Sequence, residues 1–224
     1  MSDILALLKQ SKSKNKVVIL DCCFSGKFGE LGVISSNETV LGEGVTIMTA
    51  SSRDQYAVED GITGHGVFTE LLIQGLLGGA ADVGGNITPA SLYSFVDQSL
   101  GAWEQRPLFK TNISRFLPIR KIKPKVPIEV LRKLSDYFQN PDSEYSLDPS
   151  FEFTNNPEYE IEIKEPYAKD ENINKFKELQ LYESVGLIEP VDEEHMYFAA
   201  MNSKSCRLTP LGLHYWKLSK DKRF

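Results

Sequence analysis

The sequence predicts a mixed α/β chain: a partial sheet flanked by helices, then a small α+β unit at the C-terminal end. Three observations carry this. KVVILDCC (16–23) and VTIMTASS (45–52) are continuous apolar, β-branched runs of the kind that parallel sheets bury on both faces. Apolar residues then recur at helical spacing over two later segments, and RPLFKTNI (106–113) returns to a strand-like pattern. After residue 117 the composition turns to proline and charge, and ordered patterning resumes only in the last fifty residues or so.

Taken in order, residues 3–10 predict a short helix, with Ser2 or Asp3 as its cap. Residues 24–44 are rich in Gly, Ser, Asn and Glu and read as a surface loop, as does RDQYAVEDGITGHG (53–66). A helix runs from about Val67 to Leu77 and stops at Gly78-Gly79. Thr88 as N-cap and Pro89 at the first helical position open another, which runs to about Trp103. PIRKIKPKVP (118–127) holds three prolines and four basic residues and reads as a linker. A short helix is expected over 128–138, and the alternation in EYEIEI (158–163) suits one strand. A helix over about 171–185 ends at Gly186. HMYFAA (195–200) and CRLT (206–209) suit the two strands of a hairpin, and Thr209-Pro210 opens a terminal helix. Helix, hairpin, helix is the outline of a winged-helix unit. The expected organisation is therefore 1–117, a linker with a short helix over 118–170, and a winged-helix-like module over 171–224.

Composition narrows the function. The net charge of −6 over 224 residues gives no support for a nucleic-acid partner. No run approaches the roughly 18 apolar residues of a membrane span, and the first residues lack the pattern of a secretory leader. Three cysteines, two of them adjacent (Cys22, Cys23), suit a reduced, cytoplasmic chain.

The chemistry concentrates in VVILDCCFSGKFG (17–29). A cysteine at the C-terminal tip of a buried parallel strand stands where open α/β sheets place their sites. Side chains alternate along a strand, so Asp21 and Cys23 share one side and Cys22 faces the other. On composition alone both thiols could be buried structural groups, since free cysteine is among the most buried residue types.

The motif DCCFSG resembles the nucleophile motif of metacaspases and related bacterial caspase-like proteases, Asp-x-Cys-x-Ser-Gly. ASSRDQ (50–55), GHGVFTELLIQGL (64–76), ITPASLYSFV (87–96) and QRPLF (105–109) follow in that family's order and approximate spacing, so the resemblance covers about residues 1–117. It implies a partial caspase-like sheet and a cysteine-type endopeptidase. Cys23 would be the nucleophile, attacking the peptide carbonyl to form an acyl-enzyme that water hydrolyses. Its backbone N–H would contribute to the oxyanion hole. Asp21 would line the primary specificity pocket and pair with a Lys or Arg of a peptide or protein substrate. Ser51, Ser52 and Asp54 would border the substrate groove. The structural alternatives are a strand-end carboxylate for Asp21 and a solvated loop charge for Asp54. No cofactor and no metal are implied.

The chain departs from the family in its histidine. Such a protease needs one to activate the thiol and protonate the leaving amine, in caspases about 50 residues upstream of the cysteine. Twenty-two residues precede Cys23 here and none is His. His65 lies in the loop before the FT helix, where the family does not place its base. His195 and His214 lie in the C-terminal unit, and with Cys206 they do not match common zinc spacings. Three explanations follow: a shortened chain, one half of a two-part protease whose partner chain carries the histidine, or a degenerate protease that only binds. An exposed sheet edge would invite a partner or a second copy. Residues 171–224 resemble the winged-helix-like appendages of some bacterial caspase-like proteins. Their tail KLSKDKRF is basic, while 171–195 is rich in Glu and Asp, which favours protein recruitment over DNA. The expected function is thus a caspase-class endopeptidase cutting after Arg or Lys and incomplete without a His-bearing segment. The alternatives are an inactive pseudoprotease acting in assembly and a winged-helix nucleic-acid regulator.

Overall fold

The computed structural model describes residues 6–8, 10–21, 43–50, 66–101, 106–113, 117–159 and 163–224. They form two compact units, divided between Lys123 and Pro124.

The first unit is a mixed α/β unit, as the sequence predicts. Its sheet has the order β1 (Lys16–Leu20), β2 (Val45–Thr49), β4 (Leu108–Asn112). β1 and β2 are parallel, Lys16 facing Val45 through to Leu20 facing Thr49. β2 and β4 are antiparallel, with Val45 opposite Asn112 and Thr49 opposite Leu108. β2 is buried along its whole length, as its apolar run predicts. Thr46, deeply buried beside β4, shares a 2.8 Å hydrogen bond with Thr111 and so carries no desolvation penalty.

Helices α1 (Val67–Gln74) and α2 (Pro89–Leu100) cover one face of β2. Phe68 and Leu72 of α1 and Leu92, Val96 and Leu100 of α2 pack with Met48, Ala50 and Ile87. On the opposite face Val45 and Ile47 pack against Val18 and Leu20 of β1. β1 corrects the expectation of a strand buried on both faces. The helical layer that covers Met48 leaves Val17 and Ile19 exposed at 41% and 38%. Composition reveals that a strand is apolar, not that a second layer reaches it. α1 does not stop at once but widens into a π-helical turn, Gly75–Gly79, where Gly78 takes φ 138°. A two-stranded ribbon of β3 (Asn86–Ile87) and β5 (Arg120–Lys121) completes the unit.

The cap of α2 forms as expected. Thr88 Oγ1 accepts from the Ser91 N–H at 3.1 Å, and Ser91 Oγ accepts from the Thr88 N–H at 3.0 Å. Thr88→Ala is expected to destabilise this unit by about 1 kcal/mol. A urea titration checks it, and an unchanged midpoint would show the cap to be energetically idle.

The second unit shows why residues 118–170 are more than a linker. From residue 124 onward that stretch contributes α3 (Ile128–Leu131), α4 (Leu134–Tyr137), β6 (Glu144–Ser146) and a 3-10 turn at Pro149–Phe151. Its Val126, Leu131, Leu134, Phe138, Leu147 and Phe151 are all buried. The single helix expected over 128–138 is broken into two by a turn at 132–133. The strand expected in EYEIEI falls partly outside the described residues. Asn155 ties its loop together: its side-chain amide donates to the carbonyls of Pro149, Lys164 and Pro166, and its Oδ1 accepts from the Lys164 N–H.

The chain continues with α5 (Asp170–Ser184), β7 (Ile188–Pro190), α6 (Met196–Met201), β8 (Ser205–Leu208) and α7 (Pro210–Lys220). β8 is the centre of an antiparallel sheet of order β6-β8-β7. HMYFAA, expected as a strand, is therefore the body of helix α6. Its buried residues Met196, Ala199 and Ala200 fall at i, i+3 and i+4, a helical period that outweighs the strand propensity of Tyr197 and Phe198. The predicted opening of α7 holds, with Thr209 Oγ1 accepting from the Gly212 N–H at 3.0 Å. Tyr215 and Trp216 are buried, and the Trp216 indole donates to the Phe138 carbonyl at 2.6 Å. Packing, not surface stacking, is their role.

Candidate active site

Parallel pairing of β1 and β2 brings the two chain exits to one edge of the first sheet. The Ala50 N–H donates to the Leu20 carbonyl at 2.9 Å, so Asp21 and Ala50 leave side by side. This is the carboxyl end of the parallel pair, where open α/β folds bind ligands. Asp21 follows Ile19 by two residues, which directs its side chain to the sheet face that carries α1.

There the Asp21 carboxylate meets the first turn of α1. Thr69 Oγ1 donates to Asp21 Oδ2 at 2.6 Å. Gly66, the N-cap of α1, lies so close that a Cβ on it would stand 2.6 Å from the same oxygen. The carboxylate thus sits at the positive end of the helix, where a negative charge is favoured. Asp21 is exposed, so it is both held and accessible.

Among the expected site residues, the structure describes Asp21 alone. Cys23, Ser51, Ser52 and Asp54 lie outside the described residues, as do Cys22 and His65. Sequence reasoning missed Thr69 and Gly66, although both lie in GHGVFT. A hydroxyl three residues into a helix after a glycine was the available signal.

The described residues of the second unit supply no comparable chemistry. His195 and His214 are exposed, and His195 stacks on Phe198. Cys206 is buried, and desolvation, helped by the charges of Glu183 and Glu144, pushes its thiol up to about 12. A thiol so rarely ionised is a poor nucleophile. It also bears on stability. The unfolded thiol ionises near its ordinary value of 9.0, and the folded one only near 12. Its contribution is fully present below pH 9 and is lost as pH rises through that window. The urea midpoint of this unit should therefore fall between pH 9 and 11, less steeply in Cys206→Ala. Part of the fall should persist, because burial raises Tyr137 and Tyr182 in the same direction. Equal slopes in the two proteins would contradict this.

Among the described residues no group of three or more His, Cys, Asp and Glu side chains could hold a metal ion. No described helix is long and apolar enough to cross a membrane. No protein-family model matches the chain, and no curated protein matches it. Among solved structures the chain has a distant likeness to caspase-1 from Spodoptera frugiperda, with 16% identity and a TM-score of 0.34. The likeness covers 49% of this chain and 47% of that one, so the chain spans about half the length of that protein.

Proposed function

We propose that the first unit is the nucleophile-bearing part of a caspase-class cysteine endopeptidase that cleaves after Arg or Lys. The observation that supports this most is the Asp21 carboxylate, held by Thr69 at the carboxyl end of the parallel β1–β2 pair, two residues before Cys23. In this reading the Cys23 thiolate attacks the carbonyl carbon of the scissile peptide. The tetrahedral intermediate collapses with expulsion of the amine, which takes up a proton, and water then releases the acid from the thioester. Asp21 pairs with the guanidinium or ammonium of the residue before the scissile bond. Ser51, Ser52 and Asp54, which lie outside the described residues, border the substrate groove in this reading. The proton-transferring histidine comes from a segment supplied upstream of this sequence or in trans.

Paired fluorogenic peptides, one ending in Arg and one in Asp, test the proposal with the chain alone and with a His-bearing segment supplied. Arg-selective turnover in the complemented protein is the expected result. Absence of turnover in both, with the thiols unreactive toward alkylating peptides, would replace the protease by a binding protein built on the same frame.

A further inference from the structure

We infer that Thr69 and Gly66 are positioning residues that aim the Asp21 carboxylate. This rests on the proposed role of Asp21 in recognising a basic side chain. A recognition carboxylate gains selectivity when its rotamer is held before the ligand arrives, because the ordering cost is then not charged to binding. Asp21 stands at a strand end and is exposed, which by itself leaves its side chain free to turn.

Two features of α1 remove that freedom. The Thr69 hydroxyl donates to Oδ2 at 2.6 Å and fixes one oxygen. Gly66 leaves the space that this oxygen occupies: a Cβ there would lie 2.6 Å from Oδ2 and 3.3 Å from Cγ and Oδ1. The clash is with the carboxylate tip, not with backbone. The backbone of Gly66, at φ −62° and ψ 141°, is one that alanine adopts readily. Glycine is therefore not needed at position 66 for its conformation; it is needed for clearance. Gly66→Ala should push the carboxylate off Thr69 while leaving the protein folded, at the modest cost of an alanine N-cap.

The test measures binding, so that it does not depend on turnover. The protein as encoded, with any upstream segment and with Cys23→Ala, is titrated with a peptide ending in Arg and with its citrulline counterpart, which has the same shape and no charge. The parent is expected to prefer Arg. Thr69→Val and Gly66→Ala should each reduce that preference by about three- to tenfold, the worth of one hydrogen bond. Thr69→Ser, which keeps the hydroxyl, should restore it, and thermal melts should show all three folded. If Arg preference survives in both Thr69→Val and Gly66→Ala but falls in Asp21→Asn, the positioning role is wrong and the specificity role of Asp21 stands. If the parent shows no Arg preference, or Asp21→Asn retains it, the role of Asp21 fails and takes the positioning role with it. Should Thr69→Val unfold, Gly66→Ala alone decides the question.

Discussion

Cys23→Ala is expected to abolish turnover of Arg-ended peptides by the complemented protein, lowering kcat about 10⁵-fold or more. The magnitude follows from what is removed. A thiolate route divides amide hydrolysis into two easier steps, and without it only substrate binding and oxyanion stabilisation remain. Deleting a single sulfur leaves those contributions in place, so KM should change little and the melting temperature should stay within about 2 °C. Cys22→Ala is the matched control, because Cys22 stands at the variable middle position of the Asp-x-Cys-x-Ser-Gly pattern. Cleavage retained by the Cys23→Ala protein would sink the assignment of the nucleophile. Loss of activity in both variants together with lowered melting temperatures would show that the pair matters for packing instead. Buried Cys206 does not confuse the labelling version of this experiment, since its thiol stays protonated at the pH of alkylation.

Gly212→Ala is expected to destabilise the second unit by about 3 kcal/mol, at the upper end of what overpacking costs. Helix α7 crosses the chain at Leu187 with almost no clearance. A Cβ at residue 212 would lie 1.8 Å from the Leu187 carbonyl oxygen and 2.8 Å from its carbon. Unlike the contact at Gly66, this one is with backbone that cannot step aside. The same carbonyl accepts the Thr209 N–H at 3.0 Å and a 3.3 Å contact from the Thr209 hydroxyl. Moving α7 outward to relieve the clash would break the bonds that start the helix and would uncover Tyr215 and Trp216. Urea unfolding followed through Trp216, with Trp103 replaced by Phe, reads the change. A loss under about 0.5 kcal/mol would mean that the helix slides freely on β7.

What could be read from the chain divides along a physical line. Local signals were legible. The apolar run of β2, the Thr88-Pro89 start of α2 and the Thr209-Pro210 start of α7 each depend on residues within one turn of each other. Features set by distant partners were not. β1 and β2 look alike in composition, but only the helical layer decides that Met48 is buried while Ile19 is 38% exposed. The buried residues of 124–151 are spaced irregularly, because they fill gaps in a core completed by α5 and α7, so no period announces them. HMYFAA misled because aromatic residues favour strands while the packing of Met196, Ala199 and Ala200 demanded a helix. The sequence singles out Asp21 as the residue two places before a motif cysteine. Its hydrogen bond to Thr69 joins residues 48 apart in the chain and could not be read from spacing.

The three-stranded sheet of the first unit also dictates an order of events during synthesis. β2 is the middle strand, yet its partner β4 lies far downstream; the hydrogen-bonded pair Thr46 and Thr111 is separated by 65 residues. Until residue 112 has left the ribosome, one edge of a strand destined to be buried along its whole length has its N–H and C=O groups unmatched. Closing so long a loop costs entropy before any contact rewards it. The early product of translation is then a β1–β2 pair with a sticky flank. The nascent chain is most exposed to misassociation in the interval between emergence of residue 49 and emergence of residue 108.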